Sequence, residues 1–269
     1  MKREFKLFSV LLIQLISVLV VFLITRILSP SSFNLEEAAR SGYNIGSVIS
    51  AILGAIIQAG AGFIIARGLI TDRNGSVGEY LNKINDFSLK SLCLIILMQL
   101  LISVVVMTIG AILATALLGG FFLNPNSISP IPIIIFVLIM LILAWIGSVF
   151  YYHSYFVAAD YGKELSFGRL FSKAFDSARF NLGNSLKVIF KYLIAPLLAF
   201  ILILTLIFVS GSDSPDLASR ILIAGPIVIV LSIIFACYFI YAGAKIYGEI
   251  SNVYLDSKQD SDSSTVIYE

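Results

Sequence analysis

The chain of 269 residues is 59% hydrophobic and only 13% charged, with a mean hydropathy of +0.99. A soluble protein of this length carries about a quarter charged residues to cover its surface, so a soluble enzyme is excluded. Eighteen Lys and Arg against 16 Asp and Glu leave a net charge of +2, too balanced to point to nucleic acid as a partner.

A helix needs about 20 apolar residues to cross the hydrocarbon core, because lipid offers the backbone no hydrogen-bond partner. Six runs qualify: 7–28, 45–66, 92–118, 131–152, 188–209 and 221–247. They predict an all-α polytopic membrane bundle of six transmembrane helices over 1–250. The first run follows Lys2, Arg3 and Lys6 like a secretion signal, but its apolar stretch is too long for one and Ser29-Pro30-Ser31-Ser32 offers no clean small-x-small cleavage site, so it is expected to remain as a span. Cys93 and Cys237 fall inside apolar runs, where a thiol acts as a small buried hydrophobe and not as half of a disulfide.

The basic residues separate by side. The N-terminus holds Lys2, Arg3 and Lys6, and the second loop Arg67, Arg73, Lys83 and Lys90. The fourth loop holds Lys163, Arg169, Lys173, Arg179, Lys187 and Lys191, and the tail Lys245 and Lys258. The opposite side has only Arg26, Arg40 and Arg220. By the positive-inside rule both termini are cytoplasmic. Asn124-Pro125-Asn126 and Ser212-Asp213-Ser214-Pro215 read as short exterior turns.

The two large cytoplasmic loops match each other at an offset of 90: 76–86 aligns with 166–176, with Ser, Gly, Lys and Asp identical. This is the pattern of a tandem helical-hairpin repeat in which both copies have the same orientation. In the second copy Phe167, Leu170, Phe171, Ala174, Phe175 and Ala178 recur at helical spacing, opposite Arg169, Lys173, Asp176 and Arg179. An amphipathic helix of that kind lies flat at the headgroups, where each cation gains about 1 kcal/mol from anionic lipid. Phe167, Phe171, Phe175, Arg169, Lys173 and Arg179 are therefore candidate contacts to lipid or to a protein partner. In the first copy Ser76 and Glu79 have the spacing of a capping box, so both loops are expected to carry cytoplasmic interfacial amphipathic helices.

No Asp, Glu, Lys or His lies deep in a span, as charge-moving carriers require. Gln14, Gln58, Gln99, Ser17, Ser50, Ser103, Thr108, Thr205 and Ser232 are neutral and read as glue between helices. Gly46, Ser50, Gly54, Gln58 and Gly62 stand at four-residue steps and form a packing stripe for a helix of this chain or of a second copy, leaving a homo-oligomer open. His153, among Tyr151, Tyr152 and Tyr155, reads as an interfacial polar aromatic. Pro196, and Pro226 with Gly225, are expected to kink the last two spans. No span displays paired carboxylates, a Ser-His pair or a metal-ligand set, so no catalytic residue, metal or cofactor is expected. The tail, 251–269, is rich in serine and aspartate and is expected to be an acidic disordered segment.

Glu37-Ala38-Ala39 followed by Gly42 is similar to the coupling loop of importer permeases of the ABC class, but the spacing to glycine is one residue short and the charge rule places it outside. The arrangement of 67–90 and 158–185, each running from a span through a Ser-x-Gly amphipathic segment into the next span, resembles a broad bacterial family of six-span proteins. That family is related to the membrane domain of membrane-anchored glycerophosphodiester phosphodiesterases. The resemblance implies a non-enzymatic protein of the bacterial cytoplasmic membrane with a lipid-interacting, scaffold or envelope-integrity role, and membrane lipids as partners; it carries over no catalytic residues. The alternative is a permease subunit of an ABC-type transporter that borrows a separate ATPase.

Overall fold

Because every backbone polar group inside hydrocarbon must be satisfied within its own segment, the apolar runs have only the helix open to them, and the computed structural model shows a helical bundle. It describes residues 3–28, 45–123, 130–210 and 217–265. In chain order the helices are α1 Leu7–Leu28, α2 Ile45–Thr71, α3 Val77–Asn82 with a 3₁₀ turn Lys83–Asp86, α4 Leu89–Leu123, α5 Pro130–Tyr161, α6 Phe167–Phe180, α7 Leu182–Ile189, α8 Ala195–Ser210 and α9 Leu217–Thr265. Six stretches of helix are long and apolar enough to cross a membrane, so the chain is an integral membrane protein. The segment containing Glu37 and the turns at 124–126 and 212–215 lie outside the described residues.

The helices run further than hydropathy indicates. α2 continues to Thr71, α4 to Leu123 and α5 to Tyr161, and α9 continues without a break through 251–265. The expectation of a disordered tail is therefore corrected for 251–265, with 266–269 outside the described residues: Ser251 and Tyr254 are buried, and Lys258 pairs with Asp160 at 2.8 Å. An apolar stripe of Ile246, Ile250 and Tyr254 keeps the helix packed beyond the last lipid-facing turn.

Buried side chains concentrate at one end of the bundle, the end that carries α3 and α6: 59–69 of α2, 149–159 of α5, the start of α4 and the 242–254 stretch of α9. Toward the other end the helices present Ile133, Ile134, Leu138, Ile201, Leu202, Ile229 and Ile233 outward, the surface that lipid solvates. Cys93 and Cys237 are free and also exposed, not buried as expected, because both positions face away from the packed helices. α5 is the hub, packing against α2, α4, α6, α7 and α9, while α1 joins α2 and α9.

The small-residue stripe of α2 is used within the chain. A methyl group at Gly54 would meet Val21 Cγ1 of α1 at 3.3 Å, and one at Gly62 would run into the Tyr155 ring of α5. Ser50 is buried, Gly46 and Gln58 half-buried. Three of the hydroxyls do not act as glue: Ser17, Ser50 and Thr205 donate to Gln14 O, Ser47 O and Ile201 O of their own helices at 2.8, 3.0 and 2.9 Å, which satisfies them without a neighbour.

The offset of 90 recurs in the backbone. α2 ends at Thr71 and α5 at Tyr161, each followed by five residues before the next helix starts at Val77 or Phe167. Asp72 N donates to Gly68 O at 2.8 Å and Gly162 N to Ala158 O at 3.0 Å; Tyr80 and Leu170, equivalent positions, are both fully buried. The copies then diverge. Ser76 and Glu79 close a reciprocal capping box, and hydrogen bonding from the Ser76 main-chain N–H, with that of its side chain, holds the Glu79 carboxyl below its usual pKa; Ser166, which has Arg169 at the corresponding position, makes no side-chain cap.

Three basic residues tie the packed end together. Arg67 donates to Asp86 Oδ2 at 3.1 Å and to Ala159 O at 2.9 Å, and Lys163 reaches the other Asp86 oxygen at 2.7 Å. The hydrogen bond from Lys163, with the one from Arg67, holds the Asp86 carboxyl below its ordinary pKa. Arg73 donates to the main-chain oxygens of Arg3, Glu4 and Leu69 and, at 2.7 Å, to Asn252 Oδ1. One guanidinium thus gathers the N-terminal segment, the end of α2 and the extension of α9. Burial lowers its pKa, and a guanidinium stays charged all the same.

Candidate functional site: a cation-lined cavity beside the second loop helix

α6 meets the bundle along a narrow ridge. Leu170, Ala174 and Ala178 are fully buried, Phe171 is half-buried, and Phe167, Phe175 and Phe180 are 38%, 42% and 76% exposed. The six residues expected to act together divide into three groups. Phe175 turns toward the α4–α5 groove, its ring 5.1 Å from that of Phe150, where Met98, Ile102 and Val106 also lie. Arg169 and Lys173 line a cavity on the opposite flank. Phe167, Phe171 and Arg179 belong to neither place.

That cavity has a volume of about 780 Å³. Arg169, Ser172, Lys173, Asp176, Ser177 and Phe180 form its α6 wall at helical spacing; Val157 and Tyr161 of α5 and Tyr254, Ser257 and Lys258 of α9 close the rest. Lys173 Nζ stands 3.9 Å from the centroid of the Tyr161 ring, and Lys258 Nζ 5.1 Å from it, so one ring carries two ammonium groups. Asp160 compensates only Lys258, accepting from it at 2.8 Å and from the Tyr254 hydroxyl at 3.0 Å. Arg169 and Lys173 make no ion pair among the described residues, and Asp176 accepts from Ser172 Oγ at 3.3 Å.

The floor is rigid. His153 is fully buried, not interfacial as the sequence suggested, and its two ring nitrogens contact Ser177 Oγ at 3.0 Å and Ser185 Oγ at 2.9 Å. One nitrogen donates and the other accepts in the neutral ring, fixing α5 against α6 and α7. Asn181 Nδ2 donates to Ser177 O at 3.0 Å and to Ser257 Oγ at 3.1 Å, which anchors α9 across the cavity. The α9 wall was missed at the sequence level because serine and aspartate around Tyr254 masked its helical stripe.

Chemically, a guanidinium and an ammonium with no carboxylate partner among the described residues, set beside aromatic rings, can receive an anion: the planar fork suits phosphate or carboxylate oxygens, and the ammonium adds a point charge. The rim carries exposed Phe180, at the step into α7 and the spans. Comparison with known protein families, with curated proteins and with solved structures finds no match to this chain.

Proposed function

We propose that the protein is a non-enzymatic integral membrane protein that interacts with lipid, its α3 and α6 end facing the cytoplasm and its cation-lined cavity holding the headgroup of an anionic lipid. The observation that carries this reading is the pair Arg169 and Lys173, which face a cavity of about 780 Å³ and have no carboxylate partner among the described residues. α6 is then an amphipathic element at the headgroup level, with Phe175 and Phe180 dipping toward the acyl chains. The distribution of Lys and Arg supports the orientation, and the resemblance to the six-span bacterial family supports a lipid-handling or scaffold role in the bacterial plasma membrane.

The test is purification of the full-length protein from its native membrane in mild detergent, with mass spectrometry of retained lipids and proteins. Anionic phospholipid should be enriched over the bulk membrane. At about 1 kcal/mol per cation, Arg169→Ala with Lys173→Ala should lower that enrichment roughly tenfold or more. Enrichment that is absent, or that survives both substitutions, overturns the headgroup site. A stoichiometric ATPase released by charge reversal at the same two residues would replace it with the permease-subunit reading, in which the exposed face of α6 docks the partner.

A further inference from the structure

A second cavity, of about 200 Å³, lies among α1, α2, α5 and α9 and is lined by Gln14, Ser17, Gln58, Tyr151, Tyr152 and Tyr247 with apolar neighbours. Its depth follows from the helices. Gln14 stands eight residues from Lys6, and Gln58 nine from Arg67, about 12–14 Å at 1.5 Å per residue. That places the cavity within the apolar part of the bundle, and none of its lining residues is charged.

In this setting Gln14 is anomalous. Its Oε1 is buried and, among the described residues, accepts no hydrogen bond. A carboxamide in hydrocarbon is costly to leave unpaired, and this one is held in place: a methyl group at Gly243 would meet its Nε2 at 3.1 Å and its Oε1 at 3.4 Å. The hydroxyls of Ser17, Tyr151 and Tyr155 do not serve it. Ser17 Oγ donates to Gln14 main-chain O at 2.8 Å, and the Tyr151 and Tyr155 hydroxyls pair with each other, with Gln58 O a further acceptor 3.4 Å from that of Tyr155. The Tyr152 hydroxyl in the lining has no hydrogen-bond partner among the described residues and keeps its hydrogen for a further acceptor. The cavity therefore presents an acceptor lacking a donor and a phenol able to donate. Its mouth lies between α1 and α9, where Val18 is 46% and Phe239 53% exposed, so access is from the lipid side.

We propose that this cavity binds an uncharged hydroxyl-bearing molecule, whose O–H donates to Gln14 Oε1 and whose oxygen accepts from a cavity tyrosine. Charged guests are excluded because nothing in the lining would compensate them. The same O–H chemistry has two sources, water or the head of a neutral hydroxylated amphiphile such as a diacylglycerol. The volume admits a small group of waters at about 30 Å³ each, or one such head. This site is distinct from the cation-lined cavity, and neither depends on the other.

The experiment uses the full-length protein, with Cys93→Ala and Cys237→Ala, in phosphatidylcholine vesicles. One arm adds a diacylglycerol carrying a photoreactive group beside its free hydroxyl, with the acetylated analogue as its control. The other introduces Ser17→Cys and measures its reaction with a small water-soluble methanethiosulfonate. Labelling of Tyr152 or Tyr247 peptides that falls roughly tenfold with the acetylated probe or with Gln14→Leu, as expected for loss of a hydrogen bond in hydrocarbon, identifies the amphiphile. Reaction of the introduced thiol without such labelling identifies water. Neither labelling nor thiol reaction overturns the proposal, and so does labelling that is indifferent to acetylation and to Gln14→Leu. Gln14→Met, closer in shape to glutamine, serves in place of Gln14→Leu should the latter not fold.

Discussion

Gly60 and Gly62 lie two residues apart on α2 and face different neighbours. A methyl group at Gly60 comes no nearer than 3.9 Å to Phe87, whereas one at Gly62 would occupy the space of the Tyr155 ring. That ring cannot retreat freely: its hydroxyl is engaged with Tyr151, and its centroid sits 4.7 Å from that of Tyr151 and 6.0 Å from that of Tyr247. Gly62→Ala should therefore destabilise the protein by about 1–3 kcal/mol through overpacking, while Gly60→Ala should stabilise it by up to about 1 kcal/mol through reduced backbone freedom. Thermal unfolding in detergent separates the two; equal shifts would show that Tyr155 does not set the α2–α5 distance. The spacing of small residues on α2 is visible in the sequence, but which of them bears a ring is not, because Tyr155 lies 93 positions later in the chain.

At the level of the element, Pro196 explains a local change of helix type. Proline has no N–H to offer the carbonyl four residues earlier and its ring crowds that carbonyl. Here the chain widens into a π turn over Phe190–Ile194, with Ala195 N–H reaching Phe190 O. The carbonyl left without its usual partner is that of Tyr192, and the Tyr238 hydroxyl of α9 donates to it at 3.0 Å. On the same segment Trp145 Nε1 donates to Leu186 O at 3.1 Å and the Trp145 ring lies 5.4 Å from Phe190. Tyr238→Phe should cost about 1–3 kcal/mol, because it strands a carbonyl inside the span. Adding Pro196→Ala should return part of that cost, since an alanine there would supply the missing N–H. Additive losses in this double-mutant cycle would show that the two residues do not share the carbonyl. The kink could be expected from the proline alone, whereas its remedy depends on a contact between residues 46 positions apart.

Across the whole molecule, the six spans were legible because lipid selects long apolar runs, and their ends at the packed side were not, because hydropathy stops where lipid contact stops while the helices continue. Arg169 and Lys173 could be placed on one helix face from their spacing; the cavity they line needed Tyr254, Ser257 and Lys258 of α9, from a stretch whose composition hid its order. The extension of α9 also closes the fold: Asn252 accepts from Arg73 at 2.7 Å, Tyr254 and Lys258 converge on Asp160, and Ser257 accepts from Asn181 at 3.1 Å. It thereby joins the N-terminal segment, α2, α5 and the start of α7. Ending the chain after Gln259 keeps every one of these contacts and should leave the melting temperature unchanged. Ending it after Ile250 removes them all, leaves Arg73 and Asp160 without their α9 partners and exposes the face against which Tyr254 packs. At about 1.5–3 kcal/mol per hydrogen bond to a charged group, that truncation should cost at least about 3 kcal/mol, together with the anionic-lipid enrichment that depends on an intact cavity wall. Fluorescence-detected size exclusion after heating reads the first effect and lipid mass spectrometry the second. A protein truncated after Ile250 that melted with the full-length chain would show that the fold closes without α9's extension.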